Sequence, residues 1–391
     1  MQHTMSATGG TLQRRPQAAF QRPDIHKAPM LIYWEVTRAC DLACRHCRAE
    51  AMPYRHPLEL TTEEGLALLD RFLDFGEPKP HIVFTGGDPL KRPDLFDLLQ
   101  ASVERGFLTA ITPSGTYALT REAVRRFKEV GVWMMSVSLD GSTPERHDAI
   151  RMVPGSFEQT VSAIRWAKEV GLPLQINTLV CAETYDDIPN IGHLLVELGV
   201  ERWSVFFLVS VGRGRVLGDI TPEQAEDLLN WLYDFAKEAP FAIKTTEAHH
   251  YRRVALQRAK AEGDRETPKR LRYGFGIRDG SGIMFISHIG EIYPAGFLPI
   301  VAGNVRTHHP VEIYRNHPLF QALRDPDQFK GKCGYCEYRQ VCGGSRARAY
   351  AAFGDPLEWD PLCVYRPAVS GQQTAVSRRQ TAVSRPPTAN C

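Results

Sequence analysis

Short apolar runs alternate with longer stretches of helical periodicity between residues 31 and 209. A short apolar run bounded by glycine or polar residues is typical of a buried strand, whereas apolar residues recurring every three or four positions predict an amphipathic helix. The predicted strands, some with the turn that follows them, cover residues 31–37, 81–86, 107–115, 132–141, 172–180 and 202–209. The predicted helices cover residues 61–76, 95–106, 120–131, 156–171 and 188–199. Thr61 or Thr62 is the expected N-cap of the first helix.

This alternation predicts a parallel sheet, because parallel strands need a crossover helix between them. Six strand–helix units fit either a partial barrel or a doubly wound sheet. In both architectures ligands bind at the carboxyl ends of the strands. Polar or glycine-rich segments follow the first four predicted strands in turn: CDLACRHC, GGDP, TPSGT and SLDGS. We therefore expect a functional site at this edge of the sheet.

The pattern changes after about residue 240. A stretch rich in Lys, Arg and His comes first, and the run GIMFISHIGEIYPAG then predicts a β-hairpin that turns at His288–Gly290. Both ends of the chain are polar, and the C-terminal end contains QTAVSR twice, so we expect disordered tails. The predicted division is a disordered tail over 1–28, a core domain over 29–239, a smaller accessory domain over 240–365 and a second disordered tail over 366–391.

Composition and charge exclude several classes of protein. Of the 391 residues, 43% are hydrophobic and 24% are charged, as in an ordinary globular protein rather than a fibrous or disordered chain. The net charge of +2 creates no strong attraction to nucleic acid or to an acidic membrane surface. We find neither a long apolar run that predicts a membrane span nor the apolar core of a secretory signal, and we therefore expect a cytoplasmic protein.

Seven of the nine cysteines fall into two clusters, which in a reducing compartment indicates metal ligands rather than disulfides. The first cluster, Cys40, Cys44 and Cys47, directly follows the first predicted strand. Three closely spaced thiolates can bind one face of an iron–sulfur cube and leave its fourth iron free for another molecule. A zinc site would need His46 as a ligand beside its neighbour Cys47, and a redox pair of Cys44 and Cys47 would leave Cys40 unexplained.

Four cysteines near the C-terminus can close a complete metal site. They are Cys333, Cys336, Cys342 and Cys363. Their spacing suits a structural zinc ribbon as well as an iron–sulfur cluster, and the spacing alone leaves both open. The two other cysteines are isolated. We expect Cys181 to be a small buried apolar residue and Cys391 to be incidental in the C-terminal tail.

The spacing C-x3-C-x2-C after the first strand of a six-unit α/β domain resembles the radical S-adenosylmethionine (SAM) superfamily. The resemblance implies a partial (β/α)6 barrel with a smaller C-terminal iron–sulfur accessory domain. In that superfamily the three cysteines hold a 4Fe–4S cluster whose fourth iron chelates the amino and carboxylate groups of SAM. One electron from the cluster cleaves SAM to methionine and a 5′-deoxyadenosyl radical, which abstracts hydrogen from a substrate.

The resemblance also implies SAM contacts at the ends of the predicted strands. The segment GGDP is similar to the family's GGEP motif, whose backbone holds the SAM amino group; it comprises Gly86, Gly87, Asp88 and Pro89. Ser136, Ser138 and Asp140 are implied as ribose and carboxylate contacts, and Arg151 as the partner of the SAM carboxylate. The residues implied around adenine are Asn177 and Thr178 on the fifth strand and Leu208 and Val209 on the sixth.

The second cysteine cluster lies in a segment that resembles the C-terminal element of SPASM or twitch domains, which hold auxiliary 4Fe–4S clusters. Ala295 and Gly296 stand where a further cysteine is common, so the resemblance implies one auxiliary cluster. The implied cofactors are therefore two 4Fe–4S clusters and SAM, with an electron donor such as ferredoxin or flavodoxin as a partner.

The segment CGGSRARA, with DPLC after it and CRHCRAEA upstream, resembles the radical SAM enzymes of haem and denitrification-haem synthesis. This resemblance implies an iron tetrapyrrole substrate whose carboxylate side chains are modified. Basic residues of the accessory segment are expected to meet those carboxylates, and a histidine could bind the iron. They are His249, His250, Arg252, Arg253 and Arg278. Two alternatives remain open: a peptide- or protein-modifying maturase, and an iron–sulfur electron carrier without SAM chemistry.

Overall fold

The computed structural model describes residues 23–368. Most of the predicted tails 1–28 and 366–391 lies outside the described residues, as does Cys391. Residues 23–28, which the sequence pattern placed in the N-terminal tail, pack against the C-terminal half of the chain: the Tyr314 hydroxyl donates to the Ile25 carbonyl at 2.7 Å, and Ala28 is buried.

One sheet contains the strands of the described residues. They are β1 (Leu31–Glu35), β2 (His81–Thr85), β3 (Thr109–Ile111), β4 (Met134–Ser138), β5 (Leu174–Val180), β6 (Arg202–Phe207), β7 (Ala242–Thr246), β8 (Ile283–Ile286), β9 (Glu291–Tyr293) and β10 (Gly303–Asn304). Their order is β10-β9-β8-β1-β2-β3-β4-β5-β6-β7. Neighbours from β8 to β7 are parallel, and the two pairs β8-β9 and β9-β10 are antiparallel.

The six predicted strands are confirmed as β1 to β6. They lie side by side in chain order, with no reversal of the kind that defines a doubly wound sheet, so the partial-barrel alternative is the correct one. The predicted hairpin is confirmed as well: β8 and β9 are antiparallel, and Gly290 N donates to the Ser287 carbonyl across the turn. The sequence pattern did not predict β7 or the parallel pairing of β8 with β1.

The helices of residues 23–368 are α1 (Thr62–Phe72), α2 (Leu95–Glu104), α3 (Arg121–Glu129), α4 (Pro144–Arg151), α5 (Ser156–Glu169), α6 (Ile188–Leu198), α7 (Pro222–Glu238), α8 (Tyr251–Glu262), α9 (Glu266–Leu271), α10 (Pro310–Asn316), α11 (Pro318–Arg324), α12 (Gly331–Gly334) and α13 (Arg346–Phe353). Helices α1 to α7 lie between the consecutive parallel strands β1 to β7, and the last four helices follow β10. Thr61 is the N-cap of α1, in a capping box with Glu64. None of the helices in residues 23–368 is long and apolar enough to cross a membrane.

Alternation along β1 separates the core from the inner face of the sheet. Ile32 and Trp34 are fully buried in the main core, and a Cβ added to Gly65 of α1 would lie 3.0 Å from the Trp34 ring. Glu35 is also buried, but its carboxylate bonds Arg48 and His288 instead of packing among apolar side chains. Ile32 and Trp34 therefore fix α1 on the sheet. Glu35, the next residue after Trp34, places a carboxylate near the site described below.

The predicted accessory segment contributes β7 to β10 to the same sheet as the predicted core. The predicted boundary near residue 240 falls between α7 and β7. This boundary stays a prediction from sequence. The shared sheet nevertheless means that both segments hold the site in a fixed geometry.

Candidate active site

A cavity with about 1120 Å³ of empty space opens at the carboxyl ends of the parallel strands. Its lining includes the last residues of β2, β4 and β6, which are Thr85, Ser138 and Phe207. The loop after β1 brings all three cysteines of the first cluster to the same cavity. This cavity lies at the edge of the sheet where the sequence predicts a functional site.

Each thiol of the first cluster has a hydrogen-bond donor beside it. Leu42 N lies 3.3 Å from Cys40 Sγ, and Ala51 N lies 3.4 Å from Cys47 Sγ. Arg151 Nη1 lies 3.7 Å from Cys44 Sγ. Burial raises the pKa of Cys40 to about 11, so the thiol needs such donors and a metal to become a thiolate. Three thiols that line one open cavity, each with a donor nearby, suit a 4Fe–4S cluster with one free iron.

Gly86 and Gly87 hold the cysteine loop against β2. A Cβ on Gly86 would lie 2.5 Å from the Thr37 carbonyl oxygen, and one on Gly87 would lie 2.5 Å from that of Ala39. Gly87 N donates to Thr37 O at 2.8 Å, and Asp88 N donates to Ala39 O at 2.7 Å. Only glycine permits this close approach of two backbones. Both glycines also line the cavity.

Three residues implied as SAM contacts, Asp88, Pro89 and Ser136, do not line this cavity. The buried Asp88 carboxylate accepts from Thr116 Oγ1 at 2.6 Å and from Leu90 N at 3.2 Å. Asp88 thus caps the short helical turn that Pro89 begins. Ser136 is buried within β4. In this structure these residues support the cavity wall instead of forming it.

Asp140 and Arg151 form a buried ion pair at the cavity wall, with 2.5 Å between Asp140 Oδ2 and Arg151 Nη2. Asp140 Oδ1 accepts from Leu179 N at 2.7 Å, which fixes the carboxylate. Burial and the Arg151 charge lower the pKa of His147 to about 4, so its Nδ1 is a neutral acceptor for Asp140 N at 3.1 Å. Asp140 therefore orients Arg151 towards Cys44, and Arg151 remains exposed to the cavity.

The far wall of the cavity contains the residues implied around adenine: Asn177, Thr178, Leu208 and Val209. Asn177 Oδ1 accepts from Gln175 Nε2 at 2.7 Å, which sets the orientation of its amide. Ser138 lies opposite Asn177 in the register of β4 and β5. The structure therefore brings most of the implied SAM contacts together. Cys181 is fully buried beside Thr184 and does not line the cavity, as expected.

Arg213 was missed in the sequence. Its side chain donates to the carbonyl of Cys44 at 2.9 Å and to that of Ala51 at 3.1 Å, and its backbone N donates to Cys47 O at 3.1 Å. Its Nη2 is buried without a hydrogen-bond partner in residues 23–368, although Arg213 lines the cavity. The sequence feature that could have identified Arg213 is the glycine-rich segment VGRGR. It follows the sixth predicted strand, just as the four recognised motifs follow the first four strands.

The sequence analysis also missed Arg48. Like Arg151, which pairs with Asp140, it is a basic side chain at the cavity that is held by a buried carboxylate, here that of Glu35. Glu35 Oε2 lies 2.7 Å from Arg48 Nη2, and Glu35 Oε1 lies 2.8 Å from His288 Nδ1. Burial alone would raise the pKa of Glu35, but Arg48 and His288 lower it to about 2. Glu35 is therefore ionised and keeps the Arg48 guanidinium in place, 4.5 Å from the centre of the Phe285 ring.

A second cavity of about 400 Å³ contains the C-terminal cysteines. All four of them line it: Cys333, Cys336, Cys342 and Cys363. Their sulfurs also have donors nearby, since Gly344 N lies 3.4 Å from Cys342 Sγ and Arg346 Nη2 lies 3.7 Å from Cys333 Sγ. Burial raises the pKa of Cys342 to about 12. Four thiols that line one cavity, with basic neighbours, suit a fully ligated metal cluster.

The basic residues expected to meet substrate carboxylates do not line the first cavity. Arg252 donates to the carbonyls of Val341 and Ile277, at 3.1 and 2.8 Å. Arg253 is bonded through both Nη atoms to Glu226. The other three are buried, as Arg253 is; they are His249, His250 and Arg278. The expectation that this stretch covers the substrate is therefore wrong, because its charges are used inside the fold, next to the second cysteine cluster.

Comparison with known proteins decides the family. A model of the radical SAM superfamily matches residues 34–195. AdoMet-dependent heme synthases of Oleidesulfovibrio alaskensis and Methanosarcina barkeri are 43% and 41% identical to the chain, over 86% and 87% of it and over 87% and 97% of their own lengths. The chain belongs to the radical SAM superfamily. It is therefore an enzyme, and its interpretation as an electron carrier without SAM chemistry is wrong.

Two further proteins are similar to this chain in fold or in sequence. SuiB of Streptococcus suis, solved bound to S-adenosylmethionine, matches the fold with a TM-score of 0.67 at 19% identity, over 87% of this chain and 78% of SuiB. A PqqA peptide cyclase of Bradyrhizobium diazoefficiens is 25% identical over 87% of each chain. Radical SAM enzymes bind SAM and a 4Fe–4S cluster, which supplies the electron that cleaves SAM.

Proposed function

We propose that this radical SAM enzyme modifies carboxylate side chains of an iron tetrapyrrole in haem synthesis. The observation that carries the proposal is the 43% identity to a heme synthase over 86% of the chain. The identity to the peptide cyclase is lower, 25%, over a similar share of the chain. Modification of a peptide or protein is therefore the alternative, and the substrate experiment below distinguishes the two.

We infer that Cys40, Cys44 and Cys47 bind the cluster that cleaves SAM. Their loop is fixed from one side by Gly87 and from the other by Arg213. Because the cluster holds SAM, the SAM contacts must lie on the same cavity as the thiols. The proposed SAM-binding residues are Gly86, Gly87, Ser138, Asp140, Arg151, Asn177 and Leu208.

We infer a second 4Fe–4S cluster on the four C-terminal cysteines. Complete ligation by protein would suit this cluster to carrying electrons rather than to binding substrate. The adjacent Arg253 Nη2, 4.0 Å from Cys363 Sγ, would offset part of the negative charge of four thiolates. An external donor of the ferredoxin or flavodoxin type would supply the electrons. The alternative is a zinc ion bound by the same four cysteines, and measuring the iron and zinc content of the protein distinguishes the two.

Arg213 replaces the Arg252–Arg253 stretch as the proposed contact for a substrate carboxylate. Its Nη2 has a free N–H in a buried setting, and a carboxylate is the partner that such a donor binds most strongly. Arg48 lies on the same cavity. Since a radical enzyme must hold the reacting C–H close to SAM and exclude water, basic residues next to the cysteine loop are suitably placed.

The experiment compares substrates under identical reducing conditions. The anaerobically reconstituted enzyme is mixed with SAM, dithionite and either iron-coproporphyrin or a sirohaem derivative, and 5′-deoxyadenosine is measured. We expect one tetrapyrrole to shift its Soret band on binding and to stimulate SAM cleavage. Arg213→Gln should weaken that binding, whereas Arg45→Gln, at an exposed ion pair with Glu183, should not. Stimulation by a peptide and by neither tetrapyrrole would support the maturase alternative.

A further inference from the structure

Two carboxyl groups and an imidazole meet in the interior, outside both cysteine sites. Glu247 follows β7, His249 follows two residues later, and Asp279 lies in the loop before β8. Their exposed fractions are only 3%, 6% and 1%. One ligand atom from each lies within 4.8 Å of the other two. We call these three residues the buried acid–histidine cluster.

The two carboxyl groups of this cluster face each other. A carboxylate oxygen of each lies within 4.8 Å of one from the other, so two negative charges here would repel unless a proton or a cation lies between them. Their outer oxygens have other partners: Ser345 Oγ donates to Glu247 Oε2, and Asp279 Oδ2 accepts from Arg346 N at 3.0 Å and Ala347 N at 2.9 Å. The inner oxygens therefore need a shared proton or a cation.

The histidine supplies an independent observation. Both ring nitrogens of His249 are buried, and neither has a hydrogen-bond partner in residues 23–368. A buried imidazole without partners is costly, and a metal ion bound to one nitrogen removes the part of that cost that belongs to this nitrogen. Burial, Arg252 and Arg278 keep the pKa of His249 well below its usual range, so the ring is neutral and its lone pair is available.

The arginines around this cluster do not neutralise it directly. The hydrogen bonds of Arg346 side-chain nitrogens go to the carbonyls of Pro356 and Glu358 and to the sulfur of Cys333. Arg278 donates to the carbonyls of Gly276 and Leu323. In residues 23–368 no guanidinium group donates a hydrogen bond to the side chain of Glu247 or Asp279. The inner carboxylate oxygens thus remain available for a cation.

We propose that Glu247, His249 and Asp279 bind one divalent transition-metal ion, separate from both cysteine sites. One nitrogen and two carboxylate oxygens are the donor set that suits Mn²⁺, Fe²⁺ or Zn²⁺ rather than Ca²⁺ or Mg²⁺. The ion takes the place of the proton that the two carboxyl groups share. It joins the segment after β7 to the loop before β8, and the same two carboxylates accept hydrogen bonds from Ser345, Arg346 and Ala347 at the start of α13.

The test measures metal binding and needs no catalytic assay. The full-length, cluster-loaded enzyme is titrated anaerobically with Mn²⁺, and free Mn²⁺ is followed by EPR. We expect one saturable site per chain for which Zn²⁺ competes. His249→Gln and Asp279→Asn should each weaken Mn²⁺ binding by about tenfold or more, with iron content unchanged. His309→Gln is the matched control, because His309 forms an exposed pair with Asp74 at 3.2 Å.

Two results would overturn the site. A wild-type enzyme without a saturable Mn²⁺ site would show that a proton alone joins the carboxyl groups. Unchanged binding in both variants would place the ion elsewhere. Zinc X-ray absorption of the wild-type protein gives a readout that does not depend on how the variants fold: nitrogen and oxygen neighbours support the site, and sulfur neighbours contradict it. None of these outcomes depends on whether the substrate is a tetrapyrrole.

Discussion

Replacing Gly87 with alanine tests whether the glycine pair positions the first cysteine cluster. The new Cβ would lie 2.5 Å from Ala39 O and 2.6 Å from Arg38 O, and both oxygens belong to the backbone. An ordinary contact between carbon and a carbonyl oxygen is about 3.3 Å, so the two segments must separate by about 0.8 Å. That movement would lengthen the bond from Asp88 N to Ala39 O, now 2.7 Å, to about 3.5 Å, which is too long for a hydrogen bond.

The energetic cost has two parts. Overpacking of a tight contact costs about 1–3 kcal/mol, and each lost hydrogen bond costs about 1 kcal/mol. Since the bond from Gly87 N to Thr37 O would be strained as well, we expect a total of about 3 kcal/mol, in the loop that carries Cys40. Gly87→Ala should therefore lower the urea midpoint and reduce the iron content of the reconstituted protein towards that of the second cluster alone.

The assay compares iron content, SAM cleavage and urea unfolding in the wild type and in two variants. Gly274→Ala is the control, because its added Cβ would come no closer than 3.7 Å to an atom, in the flexible side chain of Arg252. Full iron content, unchanged SAM cleavage and an unchanged midpoint in Gly87→Ala would refute the positioning argument. A loss of the same size in Gly274→Ala would show that the effect is not specific to the cysteine loop.

Three further predictions follow from the same geometry. Two 4Fe–4S clusters imply about eight irons per chain, and Cys342→Ala should remove about four of them; a zinc ion released in their place would contradict the second cluster. Ser138→Ala should weaken SAM binding in an equilibrium assay, whereas Ser136→Ala should not, because only Ser138 lines the cavity; equal effects would contradict this assignment. Because the pKa of Glu35 falls from its ordinary 4.5 to about 2, the folded state gains stability above pH 4.5 and loses it as the pH falls towards 2. The difference in urea midpoint between wild type and Glu35→Gln should be largest at pH 7 and shrink below pH 4.5; a difference independent of pH would contradict the pairing with Arg48.

The strand–helix pattern predicted the barrel well because each unit is local. Apolar runs such as 81–86 and capping residues such as Thr61 act within a few positions, and both are confirmed. The pairing of β8 with β1 joins residues about 250 positions apart, and no local pattern specifies it. The first helix after β4, α4, was not among the predicted helices, although Thr143 and Pro144 are a typical helix start. Only Arg151 of this segment was singled out, as an implied SAM contact.

Burial of charge was the property that the sequence pattern could not predict. The stretch around Arg253 has the composition of a solvated basic helix, yet Arg253 is only 3% exposed, because Glu226 of α7 pairs with it. Arg213 lies in a short glycine-rich segment and Arg48 follows the first cysteine cluster; neither was selected from the sequence, yet both line the cavity. Whether a charged residue is buried or exposed depends on partners that are distant in sequence. Those partners become known only with the fold.

The two cysteine sites are joined by one buried side chain, Arg348. Its Nη2 donates to the Leu208 carbonyl at 2.8 Å, at the wall of the first cavity. Its Nη1 lies 3.3 Å from Asp360 Oδ1, and Asp360 lines the second cavity. The Asp360 carboxylate in turn accepts from Ser345 N, three residues after Cys342. The Asp360 carboxylate therefore both compensates the charge of Arg348 and orders the loop after Cys342. Because Arg348 also bonds the Leu208 carbonyl, the C-terminal segment supports the wall that is proposed to hold adenine. The C-terminal segment is thus part of the framework of the proposed SAM cavity, as well as of the proposed second metal site.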